Sequence, residues 1–104
     1  MEITSEELKQ KFDSGEPFVL IDVREPEEYD ICRLKDAKLI PIQELPKRIQ
    51  ELDPKNPLVL YCHYGTRSMQ AALWLSQQGF REVSSLQGGI DAWAELIDPS
   101  IERY

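Results

Sequence analysis

The sequence predicts an α/β domain, a mostly parallel sheet flanked by helices on both faces. The run Phe18-Val19-Leu20-Ile21 is apolar at every position, as expected of a parallel strand covered by helices on each side. Pro57-Leu58-Val59-Leu60-Tyr61 is a second apolar run rich in β-formers, and such runs alternate with helical patterns along the whole chain. With 104 residues, 41% of them hydrophobic, residues 1–104 suffice for one core and not for two.

Each element has its own local reason. Glu2-Ile3 opens a short strand. Thr4 followed by Glu7 forms a capping box, Leu8 and Phe12 share a helical face, and Gly15 stands where a helix stops, which predicts a helix over 5–13. Glu16-Pro17 turns the chain into the 18–21 strand. That strand ends in Asp22-Val23-Arg24-Glu25, polar side chains at the sheet edge where open α/β proteins bind ligands. Pro26 suits the first turn of a short helix over 27–30, residues 31–36 form a loop, and 37–40 a strand ended by Pro41. Leu45, Ile49 and Leu52 recur at helical spacing and predict a second main helix between 43 and 52, with Pro46 in its first turn. Residues 53–57 turn into the central strand, which ends at Cys62. A helix over 67–78 closed by Gly79, a strand over 82–86, the tight Gly88-Gly89 connection and a helix over 90–97 complete the chain. Trp74 and Trp93 fall on apolar faces and belong to the core.

Composition excludes several functions. A formal net charge of −7 argues against nucleic acid and against an anionic membrane as partners, because both require clustered Lys and Arg. No segment approaches the roughly 18 consecutive apolar residues that span a bilayer. Met1-Glu2-Ile3-Thr4 has neither the basic start nor the apolar core of a signal peptide, so a cytoplasmic location is expected. Two cysteines are far too few for a disulfide scaffold, and with one histidine they offer no metal site. Nothing calls for a cofactor.

The chemistry concentrates in Cys62-His63-Tyr64-Gly65-Thr66-Arg67-Ser68, where a strand runs through a loop into a helix. Backbone N–H groups curled at a helix N-terminus make a pocket of positive potential, and a cysteine placed there is stabilised as its thiolate. Such a nucleophile, with a pocket that stabilises a leaving anion, suits transfer of a sulfane sulfur from a small anionic donor. Arg67 is unfavourable to the dipole of the helix it begins, which favours a role as electrostatic support for Cys62 over a surface ion pair. His63, the only histidine, reads more readily as a solvated side chain than as a base. Tyr64 and Thr66 line the mouth of the pocket in one reading and are ordinary loop residues in the other. Glu25 to Glu28 read as a solvated helix start. Cysteine-dependent phosphatases place five residues between cysteine and arginine; this chain has four, from His63 to Thr66, a smaller ring that suits one sulfur better than a phosphoryl group.

Several segments together resemble the rhodanese-like sulfurtransferase domain: Ile21-Asp22-Val23-Arg24-Glu25 with Glu28-Tyr29, Ile40-Pro41, the loop from Cys62 to Ser68, and Gly88-Gly89-Ile90-Asp91-Ala92-Trp93. The resemblance implies a three-layer domain, a persulfide carried on Cys62, a cradle of amides from His63 to Arg67, substrate contacts along His63, Tyr64, Gly65, Thr66 and Ser68, and bracing by Asp22 and Arg24. It also implies thiosulfate or another persulfide as donor and cyanide or a thiol such as glutathione, thioredoxin or a sulfur-carrier protein as acceptor. The stretch from Ile97 to Tyr104 is similar to the end of rhodanese domains fused to adenylating enzymes that activate sulfur carriers; residues 1–104 hold no such enzyme. One departure stands out. Where many relatives read Gly-His-Ile-Pro-Gly-Ala, this chain has Cys32-Arg33-Leu34-Lys35-Asp36-Ala37, which leaves the course of that loop open. Cys32 reads as a turn residue in place of a glycine, with a resolving thiol as the alternative. A sulfur-relay or protein-interaction module is the second function class, and a phosphatase or arsenate reductase the third.

Overall fold

Five strands, β1 (Glu2–Ile3), β2 (Val19–Asp22), β3 (Lys38–Leu39), β4 (Leu58–Tyr61) and β5 (Val83–Leu86), pair in parallel in the order β1-β5-β4-β2-β3. The coordinates are a computed structural model that describes all of residues 1–104. β4 is central because it alone is buried at all of its positions, with β5 on one side and β2 on the other. No helix is long and apolar enough to cross a membrane.

Five helices cover the sheet: α1 (Ser5–Ser14), α2 (Pro26–Ile31), α3 (Leu45–Arg48), α4 (Thr66–Gln77) and α5 (Gly89–Leu96). Side chains alternate across a strand, so β4 feeds two cores. Leu58, Leu60 and then Cys62 pack with Leu45 of α3 and with Ala71, Ala72 and Leu75 of α4. Val59 and Tyr61 pack on the other face with Leu8 of α1 and with Ile90 and Trp93 of α5. The result is three layers. Burial of each such aliphatic side chain contributes about 1.5–3 kcal/mol. Trp74 is partly buried against the first core.

Local signals account for most boundaries. The Thr4 hydroxyl accepts from the Glu7 amide at 3.1 Å while the Glu7 carboxylate accepts from the Thr4 amide at 2.8 Å, the reciprocal cap expected of that spacing. The predicted helix between 43 and 52 is instead a 3-10 turn (Ile42–Glu44), the single turn α3 and a second 3-10 turn (Ile49–Glu51). Pro46 has no N–H to give and crowds the carbonyl four residues before it, which prevents one continuous helix. The spacing still serves packing, because Leu45 and Leu52 are buried and Ile49 packs against the same core. In the 32–37 loop, Asp36 adopts a left-handed φ of 63°, a conformation that aspartate tolerates better than most residues, and Cys32 is extended at φ −163°. Asp36 thus makes a left-handed turn at a position where the resembling pattern has glycine.

Candidate active site

Cys62 follows β4 at the carboxyl edge of the sheet and directly precedes the loop into α4. The residue is only 1% exposed, and burial alone would describe an inert thiol. Its sulfur nonetheless has polar partners. Sγ accepts from the Gly65 amide at 3.1 Å and from the Ser68 amide at 3.3 Å, and lies 3.4 Å from the Ser68 hydroxyl, which is 2.7 Å from Ser85 Oγ. Gly65 is the N-cap of α4 and has no side chain to satisfy the free amides of the first turn. The cysteine sulfur takes that place, accepting from the third residue of the helix as an N-cap oxygen would. Two donors at the positive end of a helix favour negative charge at this position.

The loop has this shape because two glycines permit it. Gly65 turns with φ 110°, a conformation that a residue with a side chain rarely adopts, although an added Cβ would make only ordinary contact with the Gly88 amide at 3.4 Å and the Leu86 carbonyl at 3.5 Å. Gly89, at φ 63°, lets the start of α5 approach the loop so closely that an added Cβ would lie 2.6 Å from the Cys62 carbonyl oxygen, and nearer still to that of His63. In return, the Cys62 carbonyl accepts from the Ile90 amide at 2.9 Å and the His63 carbonyl from the Asp91 amide at 3.2 Å. The loop thus caps α5 while its own sulfur caps α4. Gly89→Ala is expected to cost about 3 kcal/mol, from left-handed strain and overpacking together, measured as a shift in urea unfolding; a loss below about 1 kcal/mol would show that the approach is not tight.

The remaining predicted residues divide. Asp22 and Arg24 are fully buried and form an ion pair, Nη2 to Oδ2 at 2.6 Å, with Nε and the Arg24 amide each 2.9 Å from Oδ1. Tyr61 donates its hydroxyl to Oδ2 at 2.8 Å. Burial works against the Arg24 charge, but hydrogen bonds to Asp22 and Tyr104 outweigh it and hold the guanidinium above its ordinary range. This pair lies on the Tyr61 face of the sheet, opposite Cys62, and not beneath the loop. The amides of Gly65 and Ser68 reach the sulfur, the first within the expected stretch from His63 to Arg67 and the second one residue beyond it. Ser68 is buried under the sulfur, whereas Tyr64 is 60% exposed and, with Gly65 and Thr66, lines a shallow groove of about 410 Å³. A larger groove, about 880 Å³, lies away from Cys62 between Phe12, Tyr29 and Trp93.

Arg67 is engaged, not free. Its two terminal nitrogens donate to the two oxygens of Glu28 at 2.7 and 2.9 Å, so Glu28 is no solvated helix start. The hydrogen bonds with Glu28 hold Arg67 charged against burial, and the Glu28 charge and then the Cys62 sulfur add to that. In turn, Arg67 outweighs burial and lowers the Glu28 carboxyl from 4.5 to about 2, helped by the Tyr104 hydroxyl. A lowered carboxyl stabilises the fold above its unfolded value and loses that contribution as pH falls through the folded one. Between about pH 5 and pH 2 the native chain should therefore lose more stability than Glu28→Gln, by on the order of 1–2 kcal/mol after solvent screening. Parallel pH profiles in urea unfolding would remove the pair from the stability of the fold.

His63 is not solvated either: its ring stacks between Tyr64 and Tyr104, both centroids at 3.8 Å, and its Nε2 is buried without a partner. Tyr104 and Glu28 are the site residues that sequence reasoning missed. Glu28 lay within a motif already noted and Tyr104 within the noted tail, but nothing local said what either would meet. Cys32 and Cys62 are both free thiols, and Cys32 Sγ sits 3.9 Å from Arg24 Nη1.

The model of the rhodanese-like domain family matches residues 4–96. A sulfurtransferase of Allochromatium vinosum is 41% identical over 93 residues, covering 89% of this chain and 87% of that protein. The probable adenylyltransferase/sulfurtransferase MoeZ of Mycobacterium tuberculosis is 39% identical over 98% of this chain, which spans only 26% of that relative's length. The crystal structure of a rhodanese-like domain protein from Staphylococcus aureus superposes with a TM-score of 0.86 at 30% identity, over 100% of this chain and 99% of that one. The chain belongs to the rhodanese-like family, and these relatives include sulfurtransferases.

Proposed function

We propose that this protein is a sulfurtransferase that carries a sulfane sulfur as a persulfide on Cys62. The observation that carries this reading is the placement of Sγ as the cap of α4, with the Gly65 and Ser68 amides aimed at it. The Cys62 thiolate attacks the outer sulfur of thiosulfate, an S–S bond forms to Cys62, and sulfite leaves with the electron pair of the broken bond. An acceptor thiolate or cyanide then attacks the outer sulfur, leaving as a persulfide or thiocyanate and restoring the Cys62 thiolate. Residues 1–104 act as one rhodanese domain in the cytoplasm, where thiol acceptors are reduced. Exposure to thiosulfate should add one sulfur atom, about 32 Da, to Cys62 by mass spectrometry; a bare Cys62 after thiosulfate and several persulfide donors would overturn it.

A second reading, sulfur relay between protein donors and acceptors, draws on the name of the adenylyltransferase/sulfurtransferase relative and on the exposed Tyr64 beside the loop. Rates with cyanide, glutathione, thioredoxin and a sulfur-carrier protein separate the two. Relay predicts that the carrier is preferred by at least about tenfold in kcat/KM, and equal rates would remove it. Phosphoryl or arsenate chemistry is poorly served, because the Arg67 guanidinium that would hold such an anion is already paired with Glu28.

A further inference from the structure

Resting on the sulfurtransferase reading, we propose that Tyr104 is a positioning residue of the sulfur site, the one side chain that joins the buried Asp22–Arg24 pair to both His63 and the Glu28–Arg67 clasp. Tyr104 lies beyond residue 96, where the family match ends. Its hydroxyl accepts from Arg24 Nη1 at 2.8 Å and donates to Glu28 Oε2 at 2.7 Å, which uses its one proton and fixes its orientation. Its ring lies 9° from parallel to the His63 ring. The Arg24 guanidinium carbon stands 5.7 Å from the Tyr104 ring centre and 5.4 Å from that of Tyr61. Tyr61, Arg24, Tyr104, His63 and Tyr64 therefore form one ladder from a fully buried ring to a 60% exposed one.

The rung is itself held. Ile101 packs against the α1/α5 core, and Arg103 grips Asp91 with two bonds of 3.0 Å, the same Asp91 whose amide donates to the His63 carbonyl. No protein group hydrogen-bonds His63 Nε2, and the two rings stacked on the imidazole define its plane. Glu28 Oε2 serves both Tyr104 and Arg67, so the phenol also sets where the first turn of α4 can sit. Small displacements of a reacting group cost large factors in rate, which is how a residue that never touches the sulfur can govern it.

Tyr104→Phe keeps the ring and removes the hydroxyl; Tyr104→Ala removes both. All three proteins are compared in full length at a temperature where each is fully folded by circular dichroism. Single-turnover loading of Cys62 from thiosulfate should slow roughly ten- to a hundredfold in Tyr104→Ala, in the rate constant and not in the half-saturating concentration, with most of the rate regained in Tyr104→Phe. The His63 ring protons, shielded by two flanking rings, should move downfield in Tyr104→Ala and stay put in Tyr104→Phe. Alkylation of Cys62 by iodoacetamide, which needs no sulfur transfer, should change rate in Tyr104→Ala in the same order. Loading and alkylation within about twofold of the native chain would overturn the proposal, as would unmoved His63 signals in Tyr104→Ala. A native chain that loads from no donor, yet shows the alkylation and His63 changes, would overturn the sulfurtransferase reading and leave the positioning role standing.

Discussion

Replacing Cys62 with serine is expected to abolish sulfur loading and turnover, a loss of at least about a thousandfold, while the fold survives. A hydroxyl is a weak nucleophile without an adjacent base, and none stands ready: the only other side chain recorded on Sγ is the Ser68 hydroxyl, and His63 is stacked between two tyrosines. Serine can still accept from the Gly65 and Ser68 amides, so α4 keeps a cap. Alanine cannot, and Cys62→Ala should lose about 1–2 kcal/mol that serine keeps. Thiosulfate:cyanide assays with thermal melts of both variants check this. Residual turnover in Cys62→Ser well above background would place the chemistry on another residue. A pure docking module would bind its partner equally well after the change.

The largest stability effect is expected at Asp22. Asp22→Ala leaves the fully buried Arg24 without its carboxylate and the Tyr61 hydroxyl without its acceptor, a loss of about 3–5 kcal/mol. The cost belongs to the stranded charge more than to the lost bond. The double variant Asp22→Leu with Arg24→Leu should therefore be less damaged than Asp22→Ala alone. Urea unfolding reads both. A single variant within about 1 kcal/mol of the native chain would mean that water reaches Arg24 once the carboxylate is gone.

How much was legible follows the distance over which each signal acts. The Thr4–Glu7 cap, the apolar β2 and the Cys62 loop each declare themselves within a few residues, and the structure has them at nearly those positions. The predicted helix between 43 and 52 breaks into three short turns: spacing reports which side chains are buried, not whether Pro46 lets one ladder of bonds run through. Partners far apart in sequence left no trace at all. Glu28 meets Arg67 across 39 positions, and Tyr104 meets Arg24 across 80. Its place in the first turn marks Arg67 as unfavourable to the helix dipole, but only the folded chain supplies the carboxylate that answers it. Gly88-Gly89 read as a tight connection; its purpose, letting α5 rest on the Cys62 and His63 carbonyls, depends on a crossover between β4 and β5.

Because the peptide groups that cap the start of α5 are those flanking the Cys62 sulfur, the site has no independent hinge about which to loosen. Warming or denaturant should extinguish catalysis and native structure along one common curve. On the proposed function, a nucleophile anchored this way would meet each donor already arranged, and selectivity among donors would fall to whatever can approach past the outermost tyrosine.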